Sequence, residues 1–124
     1  MKTQQSGFTL IELVMVIVIL GILAATAVPK FTSLDSDART AATNGVAGAL
    51  GSASAINYAV RTVNGTKGTP VAKCADVAGA LESALDAAVY SIGPATAIAS
   101  GATATCTLTR TTGETATFVA HGIS

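Results

Sequence analysis

Charge is scarce in this sequence. Seven Lys or Arg and seven Asp or Glu occur among 124 residues, and the formal net charge at pH 7 is zero. This balance gives no support for a nucleic-acid-binding protein, which is expected to carry a basic patch. The single histidine, His121, has no Ser or Cys motif near it that would pair a nucleophile with a base. We therefore predict that the chain is not an enzyme.

Metal ligands are also few. Two cysteines, Cys74 and Cys106, and one distant histidine lack the spacing of any zinc site. The run Asp35-Ser36-Asp37 offers two carboxylates on one predicted helical turn, whereas calcium needs about six or more oxygen ligands. A solvated helix face is the better interpretation of this run, and the sequence predicts no metal and no cofactor.

Large aromatic side chains are limited to three Phe and two Tyr, with no Trp, while Ala, Gly, Ser and Thr dominate. A chain of this length holds one small domain. Its hydrophobic core must be modest, and small domains of this kind usually need a covalent staple.

One long apolar run is present, from Phe8 to Val28, and its single charge is Glu12. As a helix these 21 residues would be about 31 Å long, enough to cross a bilayer. Thirteen of them are Leu, Ile, Val or Phe, whose insertion free energy of about −4 to −8 kcal/mol outweighs roughly +3 kcal/mol for one ionised side chain. The run is predicted to be a membrane helix. A carboxylate inside it suggests a functional partner, and the alternative is a tolerated acid near the membrane interface.

The segment does not fit a secretory signal peptide, because its apolar core is too long and its polar leader, Met1–Gly7, ends in a Gly placed before that core. The sequence Gly7-Phe8-Thr9-Leu10-Ile11-Glu12 closely resembles the processing site of type IV prepilins. The resemblance implies that a membrane-embedded aspartyl peptidase cleaves between Gly7 and Phe8 and methylates the new amine of Phe8. The run from Pro29 to Arg39 looks most like pilins of the mannose-sensitive haemagglutinin (MSHA) group.

The resemblance also implies how such a chain is used. The subunit would wait in the inner membrane and then polymerise into an extracellular filament of a Gram-negative-type bacterium, for adhesion, attachment or motility. Its partners would be other copies of itself, the prepilin peptidase, and the assembly platform, ATPase and secretin. Glu12 would neutralise the terminal ammonium on Phe8 of an adjoining subunit, because a lone buried carboxylate is too costly.

Three rival interpretations stay open. A pseudopilin of type II secretion shares the leader, the Glu and the Pro, but would more typically carry a calcium loop and lack a disulfide. A DNA-uptake competence pilin would show clustered surface cations, and Arg61, Lys67 and Lys73 form at most a thin patch. An ordinary anchored binding protein would have no reason for cleavage at Gly7-Phe8.

Both cysteines lie beyond the membrane segment, where an oxidising periplasm would pair them. Closing this loop of 33 residues would stabilise the head by roughly 3.5 to 4 kcal/mol in the chain-entropy model. Free thiols or a metal site are the alternatives.

After Pro29 the apolar residues recur every three or four positions, which predicts that the helix continues as an amphipathic helix to about Val63. The predicted buried stripe consists of Phe31, Leu34, Ala38, Ala42, Val46, Ala49, Ala53, Ile56, Val60 and Val63. Asn64-Gly65 is a helix stop. Gly21 and Pro29 favour a bend or local melting between them. Three further glycines, at positions 45, 48 and 51, suggest close packing on the sheet or on a neighbouring helix.

The remainder is predicted to form a small head. Asp76 would cap a helix from Val77 to Ile92, and alternation predicts strands at 102–108 and 115–120 around a turn at 111–114. Further strands are expected near 69–72 and 96–99. The predicted fold class is α+β, with a long N-terminal helix packed on a small antiparallel sheet. The predicted divisions are a cleaved leader 1–7, a membrane and polymerisation helix 8–28, its amphipathic continuation 29–63 and a disulfide-linked head 64–124.

Overall fold

A computed structural model describes residues 6–124, so most of the predicted leader, Met1–Gln5, lies outside the described residues. The first element is helix α1, Leu10–Val63, of 54 residues. By length and composition it is the one helix in residues 6–124 that could cross a membrane. All residues from Ser6 to Thr26 are exposed, as expected for a segment whose apolar side chains have no partner within the chain.

The chain divides into two compact units, one ending at Asp37 and the other spanning Ala38–Ser124. The first unit is helical from Leu10 onward, and the helix continues through both Gly21 and Pro29. Local melting is therefore not seen between them, and a bend there stays a prediction. Nearby hydroxyls bond to the helix itself, since Thr32 Oγ1 donates to the carbonyl oxygen of Pro29 at 2.9 Å.

The second unit contains a three-stranded antiparallel sheet in the order β1-β2-β3. Strand β1 is Tyr90–Gly93, β2 is Thr103–Arg110 and β3 is Thr115–His121. The register pairs Ile92 with Leu108 and Cys106 with Phe118. The fold is α+β, as predicted, with a long helix and a small antiparallel sheet.

The β2–β3 hairpin confirms the predicted alternation. Arg110 N donates to the carbonyl oxygen of Glu114 at 2.8 Å, and Gly113 N donates to that of Arg110 at 2.9 Å. Gly113 adopts φ of 104°, which side chains rarely allow, so glycine is required in this turn. Along β3, Ala116, Phe118 and Ala120 point to the core while the residues between them are exposed.

The core lies between the C-terminal part of α1, the sheet and the segments around Val71 and Ile98. Its members are small or medium-sized except for one Phe, in agreement with the scarcity of aromatics. They are Ala47, Leu50, Val71, Cys74, Val77, Ile98, Cys106, Leu108, Ala116, Phe118 and Ala120.

The predicted buried stripe of α1 is wrong. The buried residues of the helix are Thr43, Ala47, Leu50, Ser54 and Asn57, which are shifted by one position from the predicted stripe. One position is about 100° around a helix, so the more apolar face remains uncovered. Ile56 is 65% exposed and Val63 is 89% exposed.

Polar residues on the buried face are tolerated because each has a hydrogen-bond partner. Thr43 Oγ1 donates to the carbonyl oxygen of Arg39 at 2.8 Å. Ser54 Oγ accepts from His121 N at 2.8 Å. Asn57 bonds the backbone of Thr69 twice, with Nδ2 donating to its carbonyl oxygen at 2.8 Å and Oδ1 accepting from its N–H at 2.7 Å.

The predicted helix stop is confirmed, since α1 ends at Val63 and Asn64 opens a turn. Thr66 N donates to Asn64 Oδ1 at 3.1 Å, which closes an Asx turn. The predicted glycine packing holds only at Gly51, where an added Cβ would lie 3.8 Å from Phe118 Cβ. At the other two glycines, Gly45 and Gly48, such an atom would meet nothing within 4 Å among the described residues.

The helix predicted from Val77 to Ile92 is wrong. The segment forms a short 3-10 helix, Cys74–Ala80, and its end forms strand β1 instead. Tertiary pairing overrides the local pattern here, because Ile92 completes the sheet beside Leu108. Asp76 caps the start of this 3-10 helix instead of a longer α-helix. Its Oδ2 accepts from the N–H groups of Ala72 and Lys73 at 3.0 Å each.

The two further strands expected near 69–72 and 96–99 are reduced to isolated bridges. Val71 pairs with Ile123, and Lys73 pairs with Ala97. These bridges tie the C-terminus and the loop before β2 to the segment after α1, so the backbone there is paired without forming named strands.

One ion pair joins α1 to the hairpin turn. Arg39 Nε lies 3.0 Å from Glu114 Oε1. Hydrogen bonding from the Thr112 hydroxyl, with the backbone N–H of Glu114 and then Arg39 adding to it, holds the pKa of the Glu114 carboxyl below its usual range. The Arg39 side chain on the helix is half-buried, and the Glu114 side chain in the turn is largely covered. The pair therefore orients the hairpin on the helix.

A disulfide joins Cys74 to Cys106, with Cα atoms 5.6 Å apart. It links the 3-10 helix to the central strand, and both cysteines are almost fully buried. The bond therefore crosses the core of the second unit.

Replacing Cys74 or Cys106 by Ser should sharply lower subunit abundance and thermal stability. The expected loss, roughly 3.5 to 4 kcal/mol by the chain-entropy model, is a large share of the 5 to 15 kcal/mol typical of native proteins. The measurement is thermal unfolding of the full chain in detergent, with immunoblots of membranes. Ala75→Ser, at an exposed neighbour, is the control. Equal stability with and without reductant would contradict a structural role for the bond.

Candidate processing and assembly site

The predicted site residues Gly7, Phe8 and Glu12 come together at the start of α1. Gly7 and Phe8 precede the helix, Thr9 occupies the N-cap position and Leu10 is the first helical residue. Together with Ser6, the three site residues line a shallow depression. Glu12 thus lines the same depression as the two residues whose peptide bond is predicted to be cleaved.

Thr9 and Glu12 form a capping box. Thr9 N donates to Glu12 Oε2 at 2.8 Å, and Thr9 Oγ1 donates to the same oxygen at 2.7 Å. In return, Glu12 N donates to Thr9 Oγ1 at 3.3 Å. These bonds satisfy backbone donors that have no partner in the first turn of a helix.

Sequence reasoning missed this local role of Glu12, although the signal was present. A Thr followed by Glu three residues later, just before an apolar run, is the sequence signature of a capping box. Both side-chain bonds of Glu12 end on Oε2. Within residues 6–124, Oε1 accepts no hydrogen bond, so one carboxylate oxygen is available to a further donor.

The peptide bond between Gly7 and Phe8 is accessible. Phe8 is 90% exposed, and Gly7 is exposed as well. A Cβ added at Gly7 would meet nothing within 4 Å, so the fold itself does not require glycine at this position. A requirement for Gly7 must therefore come from a partner that acts on the chain.

The other predicted site residues lie elsewhere. Gly21 and Pro29 are farther along α1, and the two cysteines belong to the second unit. Among residues 6–124, no cluster of three or more His, Cys, Asp or Glu could hold a metal ion. His121 packs on the ring of Tyr58 with centroids 5.6 Å apart, and its Nδ1 lies 3.5 Å from Ser54 Oγ. Its contacts fasten the end of β3 to α1.

Sequence reasoning assigned Arg61 to a thin basic patch. In the structure its guanidinium donates hydrogen bonds to backbone carbonyl oxygens. Its Nη1 donates to the carbonyl oxygens of Lys67 and Gly68 at 3.4 and 3.2 Å, and its Nε donates to that of Ser124 at 3.3 Å. These bonds hold the loop after α1 and the C-terminus together.

Comparison with known proteins supports the interpretation of the N-terminal segment. Residues 2–28 match the family described as the prokaryotic N-terminal methylation motif. The chain is 52% identical over 64 residues to the type IV narrow pilus major component PilA5 of Thermus thermophilus, covering 52% of this chain and 51% of that protein. It is 54% identical over 46 residues to the type IV major fimbrial protein FimA of Dichelobacter nodosus, covering 37% and 28%.

A third relative is the type II secretion system core protein G of Pseudomonas aeruginosa, 52% identical over 44 residues, which cover 36% of this chain and 31% of that protein. The chain thus spans about half or less of the length of the curated relatives it matches. No solved structure gives a significant match. The chain thus carries the prokaryotic N-terminal methylation motif over residues 2–28, and over part of its length it is similar to proteins named as type IV pilus and fimbrial subunits and to a type II secretion core protein.

Proposed function

We propose that this chain is a structural subunit of a type IV pilus, which polymerises through its N-terminal helix. The observation that carries the proposal is the start of α1. There an apolar segment of the helix, exposed throughout from Leu10 to Thr26, holds one carboxylate, Glu12, four residues after Phe8. A segment with this much exposed apolar surface needs first a bilayer and then other protein to cover it.

Electrostatics connects cleavage to assembly. Cleavage after Gly7 would create an ammonium on Phe8, and methylation would leave its charge in place. When helices leave the membrane and pack together, each Glu12 becomes buried and needs a cation nearby. Oε1 would accept from the ammonium of an adjoining subunit, while Oε2 stays bonded to Thr9.

Repetition of this contact defines the product. The donor surface at Phe8 and the acceptor surface at Glu12 differ, so the contact is heterologous and leaves a free surface at each end. Heterologous contacts that do not close into a ring generate an open helical filament. The chain is thus suited to a structural role in a fibre rather than to catalysis.

The remaining assignments follow from this proposal. The prepilin peptidase would remove residues 1–7, and residues 8–28 would anchor the subunit in the inner membrane before assembly. The platform, ATPase and secretin of a Gram-negative-type envelope would extrude the filament. Adhesion, attachment or motility would be properties of that fibre, and the run from Pro29 to Arg39 supports assignment to the MSHA group.

The direct test is the mature N-terminus. Filaments sheared from cells that express the chain should contain a subunit whose first residue is N-methylated Phe8, as measured by mass spectrometry of the intact protein and its N-terminal peptide. Membranes from cells without the peptidase are the control and should contain subunits that retain Gly7. Filaments whose subunits begin at Met1 would refute the proposal.

A pseudopilin role in type II secretion is the second candidate, favoured by the match to core protein G. The disulfide between Cys74 and Cys106 supports the pilus role instead, because secretion pseudopilins more typically lack it. Filament length separates the two roles. Long surface fibres under native expression support a pilus, whereas short periplasmic fibres together with a secretion defect support the pseudopilin.

A further inference from the structure

The turn after α1 contains an asparagine in the acceptor sequence for N-linked sugars. Asn64, Gly65 and Thr66 follow the last helical residue, Val63, and all three are exposed. The acceptor sequence is Asn, then any residue except Pro, then Ser or Thr. The chain has three asparagines, at positions 44, 57 and 64, and only the last of them has this sequence.

The carboxamide of Asn64 is held through its oxygen. Thr66 N donates to Asn64 Oδ1 at 3.1 Å, and Thr66 Oγ1 donates to the same oxygen at 2.7 Å. Because a backbone N–H can only donate, this contact fixes which end of the amide is the oxygen. Within residues 6–124, Asn64 Nδ2 donates no hydrogen bond, so the nitrogen is available to a partner.

The hydroxyl of Thr66 is not needed to form the turn. An Asx turn requires only the backbone N–H two residues after the asparagine, and Lys67 N also donates to the carbonyl oxygen of Asn64 at 3.0 Å. The bond from the hydroxyl draws further electron density from the amide. Hydrogen bonds to Oδ1 stabilise the anion that forms when Nδ2 loses a proton. The arrangement therefore favours Nδ2 as a nucleophile.

The turn is open to a large partner. Asn64 lines an open depression together with Val63 and Lys67. A Cβ added at Gly65 would meet nothing within 4 Å. An enzyme could therefore approach the Asn64 amide without unfolding the chain.

The other two asparagines lack these features. Asn44 is also exposed and followed by Gly45, but it lies inside α1 and its third residue is Val46, which has no hydroxyl. Asn57 is buried, and both ends of its amide bond the backbone of Thr69. Both serve as internal negative controls.

We propose that Asn64 is an N-glycosylation site, whose sugar comes from a glycosyl phosphate or diphosphate donor. In the transfer, Nδ2 bonds to C1 of the sugar as the bond between C1 and the donor phosphate oxygen breaks. The amide gives one proton to a base of the transferase, and the phosphate leaves with the electron pair. The inference does not depend on filament formation, since the sugar is measured on the subunit itself.

Mass spectrometry of the subunit tests the site. The full chain is purified from membranes of its native cells and digested with trypsin, which cleaves after Arg61 and Lys67 and releases residues 62–67. This peptide should carry the mass of at least one sugar, and electron-transfer fragmentation should place it on Asn64. Residues 40–61, which contain the other two asparagines, should carry none. An unmodified 62–67 peptide, or sugar on its threonines instead, would overturn the proposal.

Three variants separate the modification from the structure of the turn. Thr66→Ser keeps the hydroxyl and should stay modified, whereas Thr66→Val keeps the backbone N–H of the turn and should lower the modified fraction roughly tenfold or more. Asn64→Asp keeps the oxygen that closes the turn but removes the acceptor nitrogen, so it should carry no sugar. Thermal unfolding of all three should match that of the wild-type chain. Wild-type modification of Thr66→Val would overturn the role assigned to the hydroxyl.

Two kinds of donor share this chemistry, and a reconstituted reaction distinguishes them. The unmodified full chain, made in a foreign host and kept in detergent, is incubated with native cytosol and UDP-glucose, or with native membranes and undecaprenyl-diphosphate-linked N-acetylglucosamine. Transfer to Asn64 in the first reaction assigns a nucleotide-activated donor, and transfer in the second assigns a lipid-linked donor. Asn64→Asp is the control in both. Transfer in neither reaction would overturn the proposal.

Discussion

Gly7→Val should abolish processing. Uncleaved precursor is expected to accumulate in the inner membrane, and sheared fractions should contain no filaments. The physical reason is access, since glycine lets a partner approach the backbone closely at an exposed junction, and the branched side chain of Val removes that approach. The measurement is the mass of the membrane-bound subunit together with the yield of sheared filaments.

The structure makes this substitution selective. A side chain at position 7 meets nothing within 4 Å, so Val should leave the fold and the stability of the chain unchanged. Gly65→Val is a matched control, because Gly65 is equally open and lies far along the sequence from the junction. It should be cleaved and assembled normally. Normal cleavage of Gly7→Val would show that the peptidase does not require this glycine.

How much the sequence could predict differs between elements. The membrane run, the end of α1 near Asn64 and the β2–β3 hairpin follow from local pattern, because each depends on neighbouring residues. The capping box at Thr9 and Glu12 also follows from a local pattern and was still missed, because the acid was interpreted only as an intramembrane charge. Local signals of this kind can be recovered from sequence once their motif is recognised.

Features that depend on tertiary contacts were harder to predict from the sequence. The most apolar face of α1 was expected to be buried, but the sheet covers a face with Thr43, Ser54 and Asn57. Ser54 accepts a hydrogen bond from His121, 67 residues away, and Asn57 bonds Thr69 in the loop beyond the end of the helix. No helical periodicity could reveal such pairing.

The prediction of a helix from Val77 to Ile92 was wrong for a related reason. Its stripe of apolar residues is consistent with a helix, and Leu81 and Leu85 do pack against the core. However, Tyr90 pairs with Arg110 and Ile92 with Leu108 in the sheet. Strand pairing across such a sequence distance cannot be inferred from the segment itself, so local preference gave the wrong element.

Glu12→Gln should allow insertion and cleavage but prevent assembly. Gln can take the place of Glu in a capping box, so the bonds with Thr9 and the start of α1 should survive. The negative charge is lost, and the ammonium of a neighbouring Phe8 would remain unpaired in a dry fibre core. Removing one partner of a buried pair costs roughly 3 to 5 kcal/mol, which is enough to stop polymerisation at each contact.

Three companion variants separate charge from capping. Glu12→Asp keeps the charge on a shorter stem and should be intermediate, while Thr9→Val removes the hydroxyl of the capping box and keeps the charge, so it should still assemble. Glu12→Ala removes both. The measurement is the yield of sheared filaments relative to mature subunit in the membrane. Charge pairing would be refuted if Glu12→Gln gave wild-type filament yield while Glu12→Ala and Thr9→Val failed to assemble. The variants that assemble would then differ from those that fail only in whether the capping box is intact. Glu12 would be assigned to capping alone.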